Sequence, residues 1–116
     1  MKLIIPTNDK DGLNAKVAIH FGRCNTYTII DENGSLVEVI DNTSEHNGGK
    51  GLPPELMKEH NANILLCKGL GRRALNLCQE FDIKVFVDDS ETVKDIFDAW
   101  KNGKLKEATV NDACDH

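Results

Sequence analysis

The stretch TYTIIDENGSLVEVI, residues 26–40, decides the fold class. Residues 26–30 and 36–40 are β-branched runs of strand length, with Asp31-Glu32-Asn33-Gly34 between them. Asn-Gly between two such runs is the strongest short-range hairpin signal, because both residues accept positive φ. Upstream, residues 2–6 read as a short buried strand stopped by Pro6, and residues 8–12 as a polar loop. Downstream the pattern changes. Residues 52–60 read as a helix with Pro53 in its first turn, where the missing N–H does no harm. Residues 63–67 form a short apolar strand. Residues 71–81 have Ala74, Leu75, Cys78 and Phe81 at helical spacing. Residues 83–87 read as a strand. Residues 91–101 place Val93, Ile96, Phe97 and Trp100 on one helix face, with Gly103 as the stop.

The order is a strand, a hairpin, then α-β-α-β-α. The later strands lack polar alternation, as expected of parallel strands covered on both faces. The expected architecture is α/β, a mixed sheet of about five strands flanked by helices. Residues 1–110 read as one domain and residues 111–116 as a frayed tail. A chain of 116 residues fits a single domain with a core that needs no disulfide or zinc staple.

A formal charge of −5 without a basic block argues against nucleic acid as partner. No apolar stretch is long enough to span a bilayer. The N-terminus turns polar too soon for a signal peptide, so a cytoplasmic location is the expectation. The four cysteines, Cys24, Cys67, Cys78 and Cys114, include no CxxC pair. Cys67 and Cys78 read as small buried hydrophobes. Cys24 and Cys114 stand in polar sequence and are the thiols expected to be open to chemistry.

Four groupings are candidates for a site. Ile19-His20-Phe21-Gly22-Arg23-Cys24 places an imidazole, a guanidinium and a thiol within five residues. Imidazole and thiolate are soft to borderline ligands, which makes His20 and Cys24 candidate metal ligands. Arg23 could lower the Cys24 pKa or face an anion. The plain alternative is a structural loop. In Asn47-Gly48-Gly49-Lys50-Gly51, consecutive glycines before a helix can converge N–H groups on an anion, with Lys50 adding charge. The spacing is not that of a Walker A loop, and the alternative is a simple connection. Gly69-Leu70-Gly71-Arg72-Arg73-Ala74 follows a strand in the form GxGxxA, with Asp88 and Asp89 after the next strand. This would suit a nucleotide or phosphate, but no second mononucleotide half follows. The alternative is a tight turn whose glycines permit close helix–strand packing. Finally, Cys114 and His116 could hold a metal in the tail. His46 and His60 read as surface histidines.

Together these motifs resemble the dinitrogenase iron–molybdenum cofactor biosynthesis family, which includes NifX-like proteins and the C-terminal domain of NifB. The resemblance rests on residues 19–24 with Tyr27, Ile29, Ile30 and Asp31, on Gly48-Gly49-Lys50-Gly51-Leu52-Pro53, on residues 64–74, and on Gly103-Lys104-Leu105. It implies a ribonuclease-H-like fold and non-catalytic binding or carriage of an anionic metal–sulfur cluster or its precursor. It implies partners that donate and accept the cluster, and a link to nitrogen fixation. Carried over residue by residue, the binding positions are His20, Phe21, Gly22, Arg23, Gly48, Gly49, Lys50, Gly51, Gly69 and Gly71. A nucleotide- or phosphate-binding enzyme or sensor using residues 69–74 stands as the alternative.

Overall fold

The computed structural model describes residues 1–43 and 53–108. Its elements are β1 (Lys2–Thr7), β2 (Thr26–Asp31), β3 (Leu36–Asp41), α1 (Pro53–Glu59), β4 (Ile64–Cys67), α2 (Arg72–Glu80), β5 (Lys84–Val87) and α3 (Val93–Lys101), with a 3₁₀ turn at Gly12–Asn14. The strands form one five-stranded sheet in the order β3-β2-β1-β4-β5. β2 pairs antiparallel with β1 and β3, while β4 pairs parallel with β1 and β5. Only β2 therefore runs against the rest. A hairpin joins antiparallel neighbours, whereas parallel ones need a crossover, which α2 supplies between β4 and β5.

Side chains alternate between the two faces of a strand. On one face Ile4, Tyr27, Ile29, Leu65, Cys67 and Val85 pack with Leu56 and Met57 of α1 and Leu75 and Cys78 of α2. On the other, Leu3, Ile5, Ile30, Ile64 and Leu66 pack with Val93, Ile96 and Phe97 of α3 and with Ala15 and Val17. All four residues of β4 are buried, as its unbroken apolar run implied. β5 departs from that expectation: Val85 is buried, but Lys84 and Val87 are exposed. β5 is the last strand of the sheet, so fewer neighbours cover it. Its outer edge is paired by residues 107–108, through an antiparallel Phe86–Glu107 bridge and a 2.7 Å bond from the Ala108 N–H to the Val85 carbonyl. The expected tail, residues 111–116, lies outside the described residues.

The hairpin is present, but its turn is not the mirror-image type that Asn-Gly favours. Among the described non-glycine residues only Asn61 and Asp82 have positive φ, so Asn33 does not. The left-handed position is Gly34 alone, at φ 83°. The Gly34 N–H donates to the Asp31 carbonyl at 3.0 Å, and the Asp31 carboxylate accepts from the N–H of Asn33 and of Ser35 at 2.9 and 3.0 Å. The aspartate side chain thus holds the turn in the form used by slightly longer loops. A Cβ on Gly34 would stand 2.7 Å from a Phe97 ring carbon, so α3 also requires glycine there.

The two ends of the sheet are built differently. At one, short turns join β2 to β3, α1 to β4 and α2 to β5. At the other lie the 8–25 connection, the end of β3, and the segments 68–71 and 88–92. The 8–25 connection is stitched down there by bridges Thr7–Val17 and Lys16–Thr92. The Thr26 hydroxyl adds a 2.8 Å bond to the Asp9 carbonyl.

Candidate functional site

The 19–24 segment belongs to this second, open end. Ala18 is tied to β1 by its N–H on the Pro6 carbonyl at 2.8 Å, and the chain then turns outward. His20 and Arg23 are exposed, Phe21 is half-buried against the core, and Gly22 is buried at φ 87°. The Arg23 N–H donates to the His20 carbonyl at 3.3 Å, closing the turn. Asn42, which directly follows β3, fastens it. The Asn42 Nδ2 donates to the Gly22 carbonyl at 2.8 Å and to the Cys24 carbonyl at 2.9 Å, and lies 3.8 Å from Cys24 Sγ. The Asn42 backbone N–H donates to the Asn25 carbonyl at 3.1 Å. The sequence reading missed Asn42, since an asparagine after a strand ordinarily signals only a turn.

Cys24 corrects an expectation. It is 3 % exposed and packs in the same cluster as Tyr27, Cys67 and Cys78. Its polar sequence neighbours point outward while its own side chain points into the core. Burial pushes the Cys24 thiol above its ordinary range, against weaker pulls from the Tyr27 hydroxyl and the Gly22 backbone. Burial alone pushes Cys78 up to about 12. Tyr27 is also raised, first by burial and then by Cys24, Cys78 and Cys67. Among the described residues its buried hydroxyl faces the Cys24 thiol, a weak partner, and no other hydrogen-bonding atom. Cys24, Tyr27 and Cys78 are therefore held neutral at physiological pH. Thiols held protonated are poor nucleophiles and poor metal ligands.

The turn after β4 opens at the same end. Gly71 is the N-cap of the nine-residue α2, at φ −75° and ψ 162°, with no side-chain cap. That backbone suits any residue, and a Cβ there would meet nothing within 4 Å among the described residues. Close helix–strand packing therefore does not explain Gly71. Glycine there places no side chain over the start of α2, which is the positive end of the helix dipole. Arg72 and Arg73 follow and are exposed. Lys68 stands 4.0 Å from Asp89, and Asp88 accepts a bond from the Ser90 hydroxyl.

The structure thus brings His20, Phe21, Gly22 and Arg23 to the same end of the sheet as Gly69 and Gly71. Gly48, Gly49, Lys50 and Gly51, together with His46, Cys114 and His116, lie outside the described residues. Among the described residues no group of three or more His, Cys, Asp or Glu side chains is placed to hold a metal ion. His60 is half-buried beside Glu38, its Nδ1 3.6 Å from the carboxylate. No described helix is long and apolar enough to cross a membrane.

Comparison with known proteins follows the same lines. PH0822, known from a crystal structure, is 32 % identical, with 93 % of this chain and 96 % of that one covered at a TM-score of 0.73. The apo form of the orange protein from Desulfovibrio gigas matches at a TM-score of 0.81 and 22 % identity, over 92 % of each chain. The solution structure of a Thermotoga protein described as NifB matches at 0.72 and 23 %, over 91 % of each. At such identities the last two show the fold alone. Among curated proteins none matches. The family described as dinitrogenase iron-molybdenum cofactor matches residues 1–103, and the chain belongs to that family.

Proposed function

We propose that the protein binds or carries an anionic metal–sulfur cluster, or a precursor of the iron–molybdenum cofactor, without catalysing a reaction. The observation that carries this reading is the open end of the sheet. The exposed His20 and Arg23 sit there on a fastened loop, at the same end as the start of α2, in a protein otherwise acidic. The three described cysteines are buried, so the described part of this end offers such a ligand positive potential and the His20 imidazole rather than a thiolate cage. A preformed cluster supplies its own sulfide, and is suited to being held by charge and N–H groups and then released. His20 is the direct ligand in this reading, and Arg23, Gly22, Gly69 and Gly71 shape the anion site. Gly48, Gly49, Lys50 and Gly51 would add a second set of N–H groups and a cation. Cys24 drops to a structural role. Donor and acceptor proteins in cluster assembly are the partners. The sheet order, with β2 alone reversed, supports a ribonuclease-H-like assignment.

The test is anaerobic incubation with iron, molybdate and sulfide, then gel filtration, a visible spectrum and metal analysis. A sulfide-to-metal absorption band should elute with the protein, and His20→Ala and Arg23→Ala should each reduce retained metal. The Arg23 effect should be larger at low salt, where screening is least. Metal eluting apart from the wild-type protein would end the reading. Micromolar binding of NAD or ATP by calorimetry would instead favour the phosphate site at residues 69–74.

A further inference from the structure

We infer that Asn42 is the positioning residue of this site: one buried carboxamide sets the backbone on which Arg23 is presented. The inference rests on the proposed anion site for its ligand, but on geometry alone for the clamp. Asn42 is 5 % exposed. A neutral carboxamide has two N–H groups. Two carbonyls take them at short distance, Gly22 at 2.8 Å and Cys24 at 2.9 Å. These two carbonyls flank the Arg23–Cys24 pair, so the path of the chain through Arg23 is fixed on both sides. Gly22 lies in the left-handed region at φ 87°, which glycine adopts freely and does not itself define. The clamp supplies the constraint that the glycine omits. The Asn42 backbone N–H adds a third tie, to Asn25. With Cys24 directed inward and Asn42 below the turn, the Arg23 side chain is left outside, where it is exposed.

Asn42 directly follows β3, so the turn is tied to the sheet through that strand. Arg23 bears the charge, and Asn42 determines where that charge stands.

The test compares Asn42→Leu, which keeps the branched shape and neutrality but has no side-chain N–H, with wild type, Arg23→Ala and the double variant. Amide hydrogen exchange needs no ligand. It should quicken at residues 22–25 in Asn42→Leu while β1 and β4 keep their protection. Exchange at 22–25 equal to wild type would overturn the clamp. Binding is then read anaerobically with tetrathiomolybdate, a small molybdenum–sulfur dianion. Asn42→Leu should weaken it about tenfold, the scale of one misplaced charge-assisted contact, and should weaken it little further once Arg23 is alanine. The same fold-loss in both backgrounds would overturn the positioning role. Asn42→Ser, with a single donor, is the second variant should the leucine form not fold, and must show the same pattern at smaller amplitude. Failure of wild type to bind tetrathiomolybdate would count against the proposed anion site, and the clamp would then stand or fall on exchange alone.

Discussion

The two ends of the sheet solve different problems with the same residue types. At the closed end the chain reverses three times in short turns, each with one left-handed residue: Gly34 at φ 83°, Asn61 at 59° and Asp82 at 59°. Gly103 does the same after α3, at φ 71°. Glycine serves there because the backbone conformation or a neighbouring ring demands it. At the open end Gly71 meets neither demand among the described residues, and the 8–25 connection is far longer than any closed-end turn. Short reversals reduce the entropic cost of closing loops, whereas exposed cations such as Arg23 do little for stability. The contrast teaches that a glycine has to be read by what its missing Cβ would touch, since the sequence writes Gly34 and Gly71 alike.

The largest effect should come from Gly34→Ala. It places a Cβ 2.7 Å from Phe97 and a side chain in the left-handed region. Strain and overpacking together should destabilise the fold by about 2–4 kcal/mol in urea denaturation, while anion binding per folded molecule stays unchanged. A loss under 1 kcal/mol, on the scale of an ordinary surface substitution, would mean that α3 yields easily and the closed end is less rigid than described.

Next comes alkaline pH, which probes the layer beneath the open end. Cys78 is pushed up to about 12 and Cys24 is raised. An unfolded thiol ionises near about 8.5. Both thiols are protonated in either state below that value, so stability is full there. It falls as pH rises toward the folded value, at up to about 1.4 kcal/mol per pH unit for each thiol. Urea midpoints measured across this range should drop steadily. A flat profile would show the thiols open to solvent, and would return Cys24 to the list of reactive groups.

Tyr27→Phe should have a smaller effect of opposite sign. Among the described residues the buried hydroxyl has only a weak interaction with the Cys24 thiol. Removing it should stabilise by about 1 kcal/mol; destabilisation of that size would reveal a stronger partner. The smallest change in stability should follow Gly71→Ser. Serine suits an N-cap at φ −75° and should alter stability by only a few tenths of a kcal/mol. Its hydroxyl would nevertheless occupy an N–H of the first turn, so tetrathiomolybdate binding should weaken. Unchanged binding would remove α2 from the site.

Much of this was legible in the sequence. The hairpin, β4 and the three helices follow from runs and periodicities a few residues long, which reflect local burial. The turn of the hairpin was not legible, because the Asp31 carboxylate reached two N–H groups and changed its form. β5 read as fully covered, because apolar composition does not say that a strand lies at the edge. The grouping of His20 with Arg23 was visible, but the burial of Cys24 was not: polar neighbours in sequence say little about which way one side chain points.

By itself, then, the sequence determined the order of the elements, the composition of the core and the residues available for chemistry. These depend on spacing along the chain and on side-chain type. Only the tertiary structure decided that Cys24 is a core residue, that a Cβ on Gly71 would meet none of the described residues while one on Gly34 would strike Phe97, and that Asn42 holds the Gly22 and Cys24 carbonyls from the end of another strand. Those are contacts between residues 18 to 63 positions apart. Pairing β1 with β2 and β2 with β3 brings the end of β3 beneath the 20–24 turn, and no local pattern records that approach.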